Sequence, residues 1–181
     1  MTYAPSICIF LYLHTLFEVM ALLEKYLYVK KSTIPGAGKG LFTKTFIPKG
    51  TRIVEYKGRK TVWKEVKDRD DNGYIYSINR NHVIDAMNTK SALARYANDA
   101  KGLVRIKGIN NNCEYVNDNY RAYIESTKDI QAGGEILVGY GKEYWDVIRH
   151  NIKVENQRTK AAAKKEASSK KTKSKKKTKA K

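Results

Sequence analysis

The sequence predicts a mainly β domain with short helices, followed by a disordered basic tail. Three observations carry this. Between Tyr26 and Trp145 the apolar residues come in short runs rich in β-branched and aromatic side chains. Gly, Pro, Asn and Asp break those runs at short intervals. From residue 159 the composition collapses to Lys, Ala, Ser and Thr. Short runs with turn signals between them read as many small strands. Low hydrophobicity with high charge cannot bury enough surface to order a chain.

The chain of 181 residues suggests one domain plus appendages. Its start, "ICIFLYLHTLFEVMALL" (7–23), is apolar but interrupted by His14 and Glu18. It lacks a basic leader and a small-residue cleavage site, so a signal peptide fits poorly. A membrane span needs about 20 uninterrupted apolar residues, which this is not. Met20 lies within this stretch, and the expectation is that translation starts there, with residues 1–19 as upstream read-through. The expected divisions are an extension over 1–25, the domain over 26–146, a helical segment over 147–158 and the tail over 159–181.

The strands expected are "RIVEY" (52–56), "YIYSI" (74–78), "HVIDA" (82–86), "RAYIES" (121–126) and "EILVGY" (135–140). "PGAGKG", "PKG", "DDNG" and "AGG" are the turns between them. "TVWKEVKD" (61–68) and "TKSALARYA" (89–97) each have room for a helical turn or two. After Gly141, Tyr144, Ile148 and Ile152 recur at four-residue steps and predict a helix. One echo stands out: Ile47-x-x-Gly50-x-x-Ile53 recurs as Ile130-x-x-Gly133-x-x-Ile136. Two copies make no repeat architecture; coincidence and packing are both open.

The formal net charge is +18. The tail holds eleven lysines against Glu166 alone, a net +10, which leaves +8 for residues 1–158. Tail and body both favour an acidic partner, nucleic acid first. Two cysteines, Cys8 and Cys113, cannot build a disulfide framework or a four-cysteine zinc site. The three histidines are scattered without ligand spacing. The expectation is a reducing compartment, no metal, and a buried free thiol at Cys113.

Four stretches carry the candidate chemistry. "PGAGKGLF" (35–42) has three glycines in five residues, which lets backbone approach a ligand closely. It lacks the Lys-Ser/Thr ending of a phosphate-binding P-loop and is not a dinucleotide fingerprint. "EYKG" (55–58) is the second. "ARYANDA" (94–100), with "NNNCEY" (110–115) after it, sets Arg95, Asn98 and Asp99 among small and apolar residues. Buried polar groups need partners, so this cluster ties the fold together or grips a ligand. "GEILVGYGKEYW" (134–145) is the fourth.

In this order and spacing, over about residues 28–146, the stretches resemble a SET domain, the lysine methyltransferase family. Its Gly-x-Gly-Leu-Phe opening is matched by Gly38–Phe42 and its Tyr-x-Gly by Tyr56–Gly58. Its Arg-Phe-x-Asn-His motif is matched by Arg95–Asp99, and its Glu-Leu-x-x-Asp-Tyr by Glu135–Tyr140. "VIDA" (83–86) sits where the family usually has such a strand. The resemblance implies a SET-domain (β-clip) fold of several small sheets, in which the Arg95–Asp99 segment and the Tyr140 strand come together. It implies S-adenosyl-L-methionine as cofactor, held by Ala37, Gly38, Lys39, Tyr74, Asn98 and Asp99, with Trp145 or Tyr144 over the adenine. It implies Tyr140 as the catalytic residue and Tyr56 and Tyr115 as walls of the substrate-lysine channel. Val138 stands where the family places a bulkier aromatic that limits channel room; the expected product leans to mono- or dimethyl-lysine. Arg95 is expected to be structural.

The chain also departs from the family. Asp99 replaces the usual His, and Gly139 replaces the Asp before the catalytic tyrosine. The loop from Lys101 to Asn111 is longer than usual, and the flanking zinc-bound cysteine clusters are absent. The function implied is S-adenosylmethionine-dependent N-methylation of lysine in histone or histone-like basic proteins; the lysine-rich tail adds the expectations of DNA held by residues 159–181 and of automethylation there. The alternative is a SET-like module without turnover, serving as a basic chromatin or DNA-binding protein. Either implies a cytoplasmic, nucleoid or nuclear chromatin-associated place, with no membrane partner and no classical secretion signal.

Overall fold

The structure is a computed structural model that describes residues 22–69 and 72–178. The Met20 expectation therefore lies outside the described residues. Two compact units divide between Gly139 and Tyr140.

Among the described residues, the first unit is built from nine short strands in three antiparallel sheets. In chain order they are β1 (Leu27–Lys31), β2 (Lys39–Thr43), β3 (Arg52–Glu55), β4 (Arg59–Thr61), β5 (Ile75–Asn79), β6 (His82–Asp85), β7 (Cys113–Asp118), β8 (Arg121–Ser126) and β9 (Glu135–Ile136). The sheets run β1-β2-β9, β3-β8-β7 and β4-β6-β5. A single helical turn, α1 (Trp63–Val66), and 3-10 turns at Glu24–Tyr26 and Leu93–Tyr96 lie between strands. The fold is thus small antiparallel sheets with few helices, as the sequence predicts.

Strands β2, β3 and β8 carry much of the core. Leu41 and Phe42 of β2, Ile53 and Val54 of β3 and Ile124 of β8 are fully buried, with Ile136 and Val138 beyond them. Successive residues are buried in "LF", "IV" and "AYI", so these strands are covered on both faces and read as continuous apolar runs rather than alternating ones. The β7–β8 hairpin turns at Asn119 and Tyr120, both at positive φ (46° and 57°). That is the geometry of a two-residue type I′ turn, whose twist matches the flanking strands. The Tyr120 ring stacks on His82 of the neighbouring sheet, with centroids 3.9 Å apart.

The echo proves to be packing. Ile47 and Ile130 form an isolated antiparallel bridge, each N–H donating to the other's carbonyl (2.9 and 2.8 Å). Gly50 and Gly133 then make equivalent turns at φ 82° and 79°, a region open to glycine at no steric cost. Ile53 and Ile136 are both completely buried.

The stretch expected as a strand over 135–140 departs from that form. The ladder ends at Ile136, and the next two residues bridge two other segments in parallel, Leu137 to Asn98 and Val138 to Cys113. Three remote stretches of chain therefore lie side by side. Periodicity cannot reveal this, because each bridge is a single pair rather than a ladder.

The second unit contains α2, a helix from Lys142 to Thr178. Its start agrees with the four-residue steps seen in sequence. It also continues through most of the segment for which composition predicts disorder. Alanines 161–163 favour helix intrinsically, while the lysine run offers no apolar stripe to bury. Among the described residues no helix is long and apolar enough to cross a membrane.

Candidate functional site

The glycine loop comes first. Gly36 and Gly38 sit at φ 80° and 71°, and a Cβ added to either would meet nothing within 4 Å. The loop thus presents bare, open backbone. It is held from behind by Glu135, a carboxylate only 7% exposed. Glu135 accepts from the Ser32 hydroxyl (2.6 Å), the Thr33 N–H (2.7 Å) and the Thr33 hydroxyl (2.5 Å). Asn98 Nδ2 donates to the same carboxylate at 3.3 Å and to the Lys39 carbonyl at 3.0 Å. Ile34 of the loop packs with Ala100 and Leu137, and Ala37 and Ile109 close over them.

Ala37, Gly38, Lys39, Asn98 and Asp99 are therefore brought together. Asn98 spends its amide N–H groups inside the protein, which leaves Oδ1 as what it can offer a ligand. Asp99 is buried; its Oδ1 accepts from Asn111 Nδ2 (2.9 Å) and the Lys101 N–H (2.8 Å). Asn111 completes the grip by accepting from the Ala100 N–H at 2.8 Å. Next to it, Asn112 holds the opposite strand. Its side chain donates to the Glu135 carbonyl and accepts from the Leu137 N–H (2.8 and 2.9 Å). Adjacent asparagines thus clamp the two segments that cross here. The Val138 N–H donates to the Asn98 carbonyl (2.8 Å) and completes the crossing.

A cluster of three tyrosines forms the second feature. Tyr56 and Tyr115 lie with ring centroids 5.9 Å apart, edge to face. Tyr76, which sequence reasoning passed over, packs against both, at 5.8 and 4.7 Å. Tyr56 is nearly buried and donates its hydroxyl to the Tyr74 carbonyl at 3.1 Å. Tyr76 donates to Asn117 Oδ1 at 3.1 Å. Burial raises the Tyr76 phenol above its ordinary range, and the Asn117 bond opposes this only in part. Cys113, Tyr115 and Asn117 alternate onto one face of β7. Val138, with no exposed surface, lies beside Cys113 at the buried end of that row. Burial pushes the Cys113 thiol up to about 12, so it is an inert packing group.

Tyr74, 37% exposed, stands apart from the three. Its ring carries the Arg95 guanidinium at 3.9 Å, and Tyr96 faces the same group at 5.5 Å. Arg95 Nε is buried without a hydrogen-bond partner in the structure. Arg95 thus ties Tyr74 to the segment that bears Asn98. In the second unit, Tyr140 and Trp145 stack nearly parallel (5.8 Å, 10°), and Tyr144 meets both edge-on at 5.0 and 5.1 Å. The Tyr140 ring thus packs on two aromatics from the first turn of α2.

Sequence reasoning missed Ser32, Thr33, Glu135, Asn111 and Asn112 as supports, and Tyr76 as the third ring. Their signals were present but weak: hydroxyls just before a glycine loop, an asparagine run, and a tyrosine two residues from one that was chosen.

The SET domain family model matches residues 38–141. Mouse (Mus musculus) PR domain zinc finger protein 14 is 31% identical over 124 residues, which is 65% of this chain but 21% of that protein. The chain therefore spans about a fifth of that relative's length. The crystal structure of an active polycomb repressive complex 2 in the basal state aligns at a TM-score of 0.52 and 26% identity, over 64% of this chain and 15% of that one. The methyltransferase domain of human PR domain-containing protein 2 aligns at 0.49 and 26% identity, over 68% and 81%. The matched residues run from the glycine loop to the Tyr140 turn, and the chain belongs to the SET domain family.

Proposed function

We propose that the chain is an S-adenosylmethionine-dependent protein-lysine N-methyltransferase. Membership of a family whose members are generally protein-lysine methyltransferases supports a lysine methyltransferase-like function. The observation that carries the reading is the packed trio Tyr56–Tyr76–Tyr115 in the same unit as an open glycine loop.

The open backbone at Gly36 and Gly38 fits a ligand that must be approached closely. Ala37, Gly38, Lys39, Asn98, Asp99, Tyr74 and Trp145 are the residues we assign to hold the cofactor. The Asn98 Oδ1 acceptor suits its ammonium group. When bound, the cofactor would supply a methyl group on a sulfonium, taken by a neutral lysine amine that has lost its proton. A lysine amine has a reference pKa of about 10.4. The tyrosine walls exclude water and so disfavour the ammonium form. Their faces pack the aliphatic stem and stabilise the cationic product. Tyr76 and Tyr56 have their hydroxyl protons committed to Asn117 and to the Tyr74 carbonyl. Tyr140 would align the amine, a role of orientation rather than proton transfer.

The substrate class we infer is histone or histone-like basic protein, with automethylation of the tail and DNA engaged by residues 159–181. Calorimetry with S-adenosylmethionine and its demethylated product tests the cofactor. Tight binding of either supports the enzyme reading, and no affinity for both sinks it in favour of a non-catalytic SET-like module. Labelled cofactor with purified histones and histone-like proteins tests the substrate class. Incorporation into none of them, by a protein that binds cofactor, would overturn it. Mass mapping of the labelled chain tests automethylation; an active enzyme with every tail lysine unmodified refutes it. Deleting 159–181 should weaken duplex binding sharply, and equal affinity would remove the tail's role.

A further inference from the structure

Two stretches of the body contain no acidic residue. Residues 25–54 carry seven Lys and Arg with no Asp or Glu, and residues 100–113 carry three. Nothing in their sequence separation places them together; the fold does. The Asn98 side chain donates to the Lys39 carbonyl, and Ala100 and Ile109 share one apolar cluster with Ile34 and Ala37. Both ends of the long 101–109 loop are thus rooted beside the glycine loop.

The loop rooted there carries Lys101, Arg105 and Lys107, and the hairpin beside it carries Lys31 and Lys39, all exposed. Lys31 and Lys39 are direct cross-strand partners on β1 and β2. Like charges directly opposite each other destabilise a hairpin. Among the described residues no ion pair joins any of the five to a carboxylate. The two carboxylates bordering the face, Glu135 and Asp99, are buried and engaged from within. Elsewhere in the unit exposed cations do have acidic neighbours, as Lys57 has Glu24 and Arg59 has Glu65. Among the described residues, the Lys31–Lys39 repulsion and the charges of the loop thus have no ion-pair partner to relieve them.

We propose that this face docks the phosphate backbone of duplex nucleic acid, as a second contact independent of the lysine tail. Several cations without acidic neighbours suit a polyanion that spaces one charge per about 1.7 Å along its axis. Apposed lysines lose their mutual repulsion when phosphates lie between them. A contact made to phosphates positions the duplex without reading its bases, so it is indifferent to sequence.

The test uses the full chain and a labelled duplex, with affinity measured across a salt series. Lys101→Gln/Arg105→Gln/Lys107→Gln is compared with Lys60→Gln/Lys64→Gln/Lys90→Gln, which removes the same charge from exposed positions elsewhere. Each lost phosphate contact lowers the salt slope by about 0.9. The loop variant should lose about 2–3 in slope and the control less than about 1. Lys31→Gln/Lys39→Gln, on a different element, should lose about 1–2. Unchanged melting temperatures exclude misfolding as the cause. Equal losses in loop variant and control would reduce the effect to net charge and overturn the proposal. So would an unchanged slope in both face variants, or a full chain with no affinity for duplex.

Discussion

A Cβ built on Gly139 would lie 3.3 Å from Asn111 Nδ2, the nitrogen that donates to Asp99. The two departures from the family pattern, Gly139 and Asp99, thus meet through one amide. Asn111 is fixed at both ends, by Asp99 and by the Ala100 N–H, so it cannot give way cheaply. Gly139→Ala gains by stiffening the unfolded chain but must push that amide. We expect a net loss of about 1 kcal/mol, with the coupling typical of touching residues. In an Asn111→Ala background the same change should become neutral or stabilising. Chemical denaturation of the four proteins in the cycle measures this; additive effects would show that the two positions do not communicate.

Gly40 faces a harder limit. Its Cβ would fall 2.2 Å from Glu135 Oε1, and that carboxylate is pinned by Ser32, Thr33 and Asn98. Gly40→Ala must break the brace behind the glycine loop. Loss of several hydrogen bonds to a buried charge predicts about 2–4 kcal/mol. Glu135→Gln keeps the shape but sets an amide donor against donors, and should weaken cofactor binding more than it lowers the melting temperature. Calorimetry beside thermal unfolding separates the two; a variant with unaltered affinity would make Glu135 merely structural.

Much of this was legible in the chain. "RIVEY", "HVIDA" and "RAYIES" announce strands because β-branched residues cluster between turn signals. The glycine echo announces a paired turn, although only the Ile47–Ile130 bridge shows the copies facing each other. What stayed hidden depends on contacts between remote residues. Leu137 and Val138 look like strand but bridge two other segments. Glu135 looks like a solvent-facing charge until Ser32 and Thr33 arrive more than a hundred residues away in sequence. Tyr76 is one tyrosine among 13, and only packing separates it from Tyr74.

Asp85 makes acid stability predictable. Burial raises its carboxyl, but the Asn72 amide, the Met87 N–H and the Arg69 and Arg59 guanidinium groups outweigh this and leave it below the ordinary value. A lowered folded pKa gives stability that is fully present above the unfolded value, about 3.9, and is lost as pH falls through the folded one. Asp85→Asn should cost about 1–3 kcal/mol near neutrality, discounted because Arg69 and Arg59 are partly solvated. It should also flatten the stability profile below about pH 4. Urea unfolding across pH checks both, and an unchanged acid limb would remove Asp85 from the account.

Tyr140→Phe removes one hydroxyl and leaves the ring stacked on Trp145 with Tyr144 edge-on. The fold and the affinity for cofactor should persist, while turnover falls by about 100-fold or more if orientation is the role. Single-turnover assays with labelled cofactor read this directly. Near-normal turnover would mean that another residue aligns the amine.

The tail offers the last prediction. The early turns of α2 are supported by opposite charges, Lys142 and Arg149 with Asp146, and Arg158 with Glu155. Beyond Thr159 the sequence holds eleven lysines and one acidic residue, Glu166. Lys160 and Lys164, Lys171 and Lys175, and Lys173 and Lys177 fall four apart, where like charges cost about 0.2–0.5 kcal/mol a pair. Alanines 161–163 and 167 favour helix there, against the repulsion of the lysines. A peptide of residues 159–181 should therefore be weakly helical in low salt. It should gain helix as salt screens the lysines, and gain more when phosphates neutralise them. Far-UV circular dichroism against salt and against duplex measures this. The state of the segment also sets the order of automethylation. A helix of 37 residues is about 55 Å long and carries its distal lysines away from its own start, so modification should run between molecules. An unravelled segment can fold back, and modification within one molecule is independent of concentration. The fractional rate of tail labelling should thus depend on protein concentration more strongly in high salt than in low. A rate law identical in both, or strong helicity without salt, would sink the link between helix and order.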